Sequence, residues 1–168
     1  RLDRLFEQRR FELIQLSDNV GIATALNRGL ERALGAGYSW ALTFDQDSVA
    51  HDDLVAKLLE VHEQHPRRST LAILGSNYEE GSTGATGTPR RARVQGSWIQ
   101  VDEVITSGSL QALSVFEDIG PYRGDLFIYF VDHEFCKRAR VAGYDVALAR
   151  APLISHPTGS PAERRFLS

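Results

Sequence analysis

The chain contains one cysteine, Cys136, no methionine and no long uninterrupted apolar run in its 168 residues. A single thiol excludes an internal disulfide and fits a reducing compartment. A membrane-crossing helix needs roughly 18 apolar residues or more, so none is expected. The opening RLDRLFEQRR is charged throughout and does not read as a secretory signal, so a cytoplasmic location is expected. Positive charge is not in excess either: the formal net charge is −3, which argues against a nucleic-acid surface. Neither an internal repeat nor a linker is visible. With 42% hydrophobic residues, 1–168 is expected to form one domain with its own core.

What is present alternates between two periodicities. Leu13–Leu16 predicts a short strand. In GIATALNRGLERALGAG, Ile22, Ala25, Leu26, Leu30, Ala33 and Leu34 recur at helical spacing, closed by Gly35 and Gly37. Trp40–Phe44 predicts a buried strand. Residues 52–65 predict a helix with Asp52 and Asp53 at its positive end and Pro66 beyond it. Leu71–Leu74 predicts a third strand, and the Gly-, Ser-, Thr- and Arg-rich stretch from Ser76 to Gly96 a surface loop that could act as a lid. Trp98–Ile105 alternates like a strand, Asp132–Gly143 reads as a helix behind the apolar Phe127–Val131, and Tyr144–Ala149 as the last strand. Strands alternating with helices predict an α/β fold, a central sheet flanked by helices.

The chemistry concentrates at LTFDQDSV. An apolar strand stops on two carboxylates, Asp45 and Asp47, which the strand period sends to one side. In α/β sheets, ligands bind at the carboxyl ends of strands. A pair of carboxylates there suits a hard divalent cation such as Mg²⁺ or Mn²⁺. A solvated turn with an Asp capping the next helix would look the same. An apolar strand followed by D-x-D-x-V also resembles the nucleophile motif of haloacid-dehalogenase-like phosphatases. That chemistry wants a downstream Lys and a later acidic cluster. Only Lys57 and Lys137 are available, and only Asp145 and Glu163 follow Lys137.

Five ordered stretches carry a wider resemblance: DNVGIATALNRG, WALTFDQDS, TSGSL, LFIYFVDHEFCKRARVAGY and LISHPTG. From Asp18 to Gly159 the chain resembles family 2 of the inverting glycosyltransferases, and most of all bacterial rhamnosyltransferases, whose D-Q-D-S is distinctive. The resemblance implies a GT-A-like fold and metal-dependent transfer of a sugar from a dTDP- or UDP-linked donor to a glycan or lipid-linked acceptor. Rhamnose from dTDP-rhamnose is the first choice. It further implies that Asp45 and Asp47 hold Mg²⁺ or Mn²⁺ on the donor diphosphate, with His156 as a third ligand or a diphosphate contact. Asp132 is the implied catalytic base, with Glu134 as its rival. The donor side would include Asn19, Gly21, Asn27, Arg28 and Asp45, with Ser107 and Gly108 lining the sugar or acceptor side. Arg138 could face the diphosphate, although a spacing of six from Asp132 fits the helix period poorly. Among the other histidines, His62 and His65 are expected on a solvated helix face, His51 in a loop, and His133 beside the base without a role.

The chain departs from the family pattern at two places. Tyr129 stands where the rhamnosyltransferase phrase F-I-D-Y carries an acid. The family opens with a strand, a Y-N-P-like turn and a second strand ending in an Asp that grips the nucleotide base; this chain begins after most of that, so it is expected to be N-terminally truncated and to bind donor weakly. A strand lost from the sheet edge would favour self-association, and work at the inner face of the cell membrane would bring peripheral membrane association. The competing expectation is a binding module that keeps the fold without turnover.

Overall fold

The structure is a computed structural model, which describes residues 11–80, 86–89 and 93–156, with Glu80 and His156 described by backbone alone. In chain order the elements are α1 (Gly21–Gly35), β1 (Trp40–Thr43), β2 (Val49–Ala50), α2 (Leu54–Gln64) and β3 (Leu71–Glu80). They continue with β4 (Arg93–Gln95), β5 (Trp98–Gln100), β6 (Ser109–Ala112), α3 (Leu113–Ile119), α4 (Val131–Val141) and β7 (Asp145–His156). Among the described residues no helix is long and apolar enough to cross a membrane.

Local chemistry explains the element limits. Helix α1 gives way at Gly37, whose φ of +81° is the left-handed turn that glycine adopts without steric cost. Helix α4 carries Asp132 and Glu134 in its first turn and Arg138 and Arg140 in its last, complementing the helix dipole at both ends.

The strands form one mixed sheet in the order β1-β6-β3-β7-β5-β4, with β2 pairing to β7. Only β3 and β7 run parallel; the other pairings are antiparallel. Two apolar clusters cover its two faces, and the period of β7 divides them: Val146 and Leu148 face one cluster, Ala147 and Ala149 the other. The first cluster packs Leu30, Leu113, Phe116, Tyr122, Phe135 and Cys136 beneath α1, α3 and α4. The second packs Leu54, Leu58 and Val61 of α2 against Leu71, Leu74, Leu153 and Ile154. Full burial of a side chain such as Phe135 contributes roughly 1.5–3 kcal/mol.

Several expectations are corrected. Leu13–Leu16 forms no strand: Leu13 and Ile14 are exposed and no sheet edge receives them. Trp40–Thr43 is half-buried because β1 is the outermost strand of the described sheet. Strand β3 continues through Asn77 to Glu80 into the stretch expected to be loop, because β7 offers it a parallel partner along that whole length. The rest of the expected lid falls partly on residues 81–85 and 90–92, outside the described residues. Strand β5 stops at Gln100, while β6 and α3 form where neither was expected. Phe127–Phe130 is apolar yet exposed, and Phe127 and Phe130 take left-handed φ values of 57° and 63°. His65 is buried against Trp98, with ring centroids 4.2 Å apart, and His62 packs edge-on against Trp40, so neither lies on a solvated face.

Candidate active site

Topology gathers the predicted residues at one end of the sheet. Strands β1 and β3 are each antiparallel to β6, and β3 is parallel to β7, so β1, β3 and β7 all end on the same side. Asp45 and Asp47 follow β1 there, and His156 ends β7. Helix α4 leads back into β7 through a short turn, so its first turn, with Asp132, stands at that end as well. The pairing Val49↔Ser155, extended by one residue, places the His156 backbone opposite Ser48. His156 is described by its backbone alone, and among the described residues no group of three His, Cys, Asp or Glu side chains converges on a metal position.

The turn after β1 is held from below. Ser107 is fully buried; its hydroxyl accepts the Asp45 backbone N–H at 3.1 Å and donates to Ser48 Oγ at 2.7 Å. The next residue, Gly108, has φ +68° and donates its N–H to Thr43 O at 2.7 Å. A Cβ there would come within 3.1 Å of both Ile154 and Ser76. The sequence T-S-G-S thus supports the carboxylate turn from beneath. Beneath it again, Tyr122 donates to Gln111 Oε1 and Gln111 to Thr43 Oγ1, a buried chain whose outer end is the Asn27 amide, clasping the Tyr122 backbone with two bonds of 2.8 Å. Burial and lost solvation push the Tyr122 phenol well above its usual range, so it stays a neutral donor in this chain.

A cleft of about 1070 Å³ opens in front of this turn. Asp18, Asn19, Asp45 and Asp47 line its polar end, and Leu26, Leu30, Ala33 and Trp40 its apolar end. Asp47 is exposed and has no ion-pair or hydrogen-bond partner among the described residues. Two carboxylates with room for phosphate oxygens and water match the way Mg²⁺ is commonly held, by one or two carboxylates plus substrate phosphates. The residues present therefore fit the group. Gly21 also lines the cleft. It needs its φ of +78°, and a Cβ there would lie 2.6 Å from Phe127 O, the carbonyl that accepts the Ile22 N–H.

Asp132 lines a second, smaller cavity of about 200 Å³ with Ser76, Tyr78, Glu103, Ile105 and His133. Its Oδ1 accepts the His133 backbone N–H at 2.9 Å. Ser76, which also lines this cavity, donates its hydroxyl to Gly108 O at 2.5 Å. Glu134 is directed elsewhere: both of its oxygens take guanidinium N–H groups of Arg138 at 2.9 Å. Arg138 also donates to the carbonyls of Ile119, Gly120 and Pro121, so it ties α4 to α3 and is committed to structure, not to a diphosphate.

Asn19, Gly21, Asp45 and Asp47 share the cleft; Ser107 and Gly108 support its carboxylate turn; Asp132 lines the smaller cavity together with Ser76. Asn27 and Arg28 do not line the cleft. Arg28 pairs with Glu31 on the outer surface of α1. Sequence reading missed Glu103, the partner of the His133 ring. A separation of 30 residues leaves no local signal for that contact.

Comparison with known proteins decides the family. The model of "Glycosyl transferase family 2" matches residues 2–132. The chain belongs to glycosyl transferase family 2. It is 27% identical over 143 residues to the dTDP-rhamnosyl transferase RfbF of Shigella flexneri, covering 81% of this chain and 48% of that protein. Among solved structures it is similar to GalNAc-T7 with UDP, GalNAc and Mn²⁺, with a TM-score of 0.71 at 11% identity over 94% of this chain and 34% of that one. It is also similar to S. aureus TarS, with a TM-score of 0.64 at 13% identity over 94% of this chain and 28% of that one. The fold is GT-A. The chain spans about half the length of the curated relative it matches.

Proposed function

We propose that the chain is a metal-dependent inverting glycosyltransferase domain that moves a sugar, with rhamnose from dTDP-rhamnose as the first choice, onto a cell-surface glycan or lipid-linked acceptor. The carrying observation is the Asp45-Gln46-Asp47 turn at the end of β1, held by buried Ser107 and open to a cleft large enough for a nucleotide sugar. Family membership and the Shigella flexneri relative support the reaction class and the rhamnosyl donor.

In this reading Asp45 and Asp47 would hold the divalent cation, with His156 the further ligand that the family resemblance implies, and the cation would offset charge on the departing diphosphate. Asn19 and Gly21 border the donor. Asp132 takes the acceptor hydroxyl's proton as that oxygen attacks the anomeric carbon and the bond to the diphosphate breaks, a single displacement with inversion. Proton removal by a positioned carboxylate contributes typically 10²–10⁴-fold. Of the two carboxylates in the V-D-H-E motif, Asp132 suits this work because it faces a cavity while Glu134 is occupied by Arg138. We assign the reaction to the cytoplasm, at the inner face of the membrane where a lipid-linked acceptor would be met.

The test is a donor screen by mass spectrometry with Mg²⁺ or Mn²⁺ and a panel of dTDP- and UDP-sugars. Cation-dependent consumption of dTDP-rhamnose, with product of inverted anomeric configuration, is expected. Consumption of a UDP-sugar alone would reassign the donor, and cation binding without turnover of any donor would favour a binding module.

A further inference from the structure

Besides Tyr78, the Asp132 cavity is lined by two titratable side chains that the transfer reaction as stated does not use, His133 and Glu103. The imidazole stands between two carboxylates. Its Nδ1 is hydrogen-bonded to Glu103, and its Nε2 lies 3.9 Å from Asp132 Oδ1. A carboxylate on one ring nitrogen fixes the tautomer: Nδ1 carries the proton donated to Glu103, leaving Nε2 as an unprotonated acceptor facing Asp132. Exposure rises outward along this line, from 25% for the Asp132 side chain to 48% for His133 and 54% for Glu103.

We propose that Glu103 and His133 form a proton exit that resets Asp132 after each transfer, a reading that rests on Asp132 being the base. The acceptor O–H proton passes to the Asp132 carboxylate as the glycosidic bond forms and the diphosphate leaves with the bonding electrons. The carboxylic acid then gives the proton to His133 Nε2 across a gap that one water or a small ring rotation closes. The imidazolium, held by Glu103, releases its proton to water, and the starting carboxylate and neutral ring are restored. Neither carbon nor metal changes oxidation state, and no co-reactant is needed. Half-exposure of His133 and Glu103 allows that release.

His133 has a second effect through charge. While the ring carries a second proton, its positive charge beside Asp132 weakens the base, so transfer should fall with the fraction of protonated His133. The charged groups around His133 are Asp132 and Glu103, with Lys137 and Arg140 across the adjoining surface groove; Asp102 is paired with Arg140.

The experiment is the pH dependence of kcat in the full-length protein together with NMR titration of the His133 ring. Glu103→Gln removes the carboxylate bonded to the ring, so it should move the acidic limb of kcat to lower pH and the ring's NMR titration with it. His133→Gln should remove that limb and reduce kcat about five- to twentyfold at neutral pH, with KM for the donor unchanged. An active wild type whose limb stays in place in both variants overturns the proposal, as does a His133 titration that Glu103→Gln leaves unmoved. A wild type that shows the coupled titration but transfers no sugar overturns the assignment of Asp132 as base, and the exit with it. The titration thus distinguishes the two failures.

Discussion

The two carboxylate positions at the end of this sheet are built in opposite ways. Asp47 stands exposed on a turn, with no partner among the described residues, and its position comes from backbone held by Ser107 below. Asp132 is three-quarters buried, accepts an N–H at the start of a helix, and faces a titratable ring. The difference teaches what each position is suited for. A solvated carboxylate beside another attracts a cation, since no described residue offsets its charge. A carboxylate in a small cavity beside a proton acceptor is suited to taking and passing a proton.

The strongest way to break the contrast is Asp132→Asn. It should lower kcat by about 10²–10⁴-fold with donor affinity little changed, because in the proposed mechanism the side chain acts on the acceptor proton. Kinetics with a saturating donor check this; a crippling Glu134→Gln beside a mild Asp132→Asn would reverse the assignment.

Asp47→Asn should remove cation-dependent donor binding, at least tenfold in Kd or about 1.4 kcal/mol, while leaving Tm nearly unchanged because relief of carboxylate repulsion offsets lost contacts. Calorimetric titration of dTDP with and without Mn²⁺ measures the first, a thermal melt the second.

Ser107→Ala sharpens the comparison by acting on the support instead of the carboxylate. It removes the acceptor of the Asp45 N–H and the donor to Ser48, which should destabilise the fold by about 1–3 kcal/mol and weaken donor binding through a looser turn. Chemical denaturation and the same titration give both numbers, and Ser107→Thr should restore part of each.

The smallest effect is far from both sites. His65 is 3% exposed, its Nε2 has no hydrogen-bond partner among the described residues, and burial lowers its pKa despite the nearby Asp145. The unfolded chain therefore binds the proton more readily, so stability is complete above the ordinary histidine pKa and falls as pH drops below it, by at most about 1.4 kcal/mol per pH unit. His65→Phe should flatten that slope in melts between pH 7 and pH 5.

Cys136 contrasts with all of these. It lies one turn after Asp132 but is fully buried, with its thiol pushed up to about 12 by burial, so it is core and not chemistry.

By itself the sequence determined the elements with strong periods and clear stops: α1 ending near Gly37, α2 before Pro66, α4 before Gly143, and β1 running into paired Asp. It also determined the candidate carboxylates and the family, because the order of motifs along a chain is a linear property. Tertiary structure alone decided what depends on contacts between distant residues. The partner β7 turned the first part of an expected loop, Ser76–Glu80, into strand, Trp98 covered His65, and Arg138 withdrew Glu134 from the site. It also set Glu103 on His133 and Ser107 under Asp45, 30 and 62 residues apart. A strand's length, a histidine's burial and a carboxylate's partner are set by what lies across space, and residue type and spacing carry no record of that.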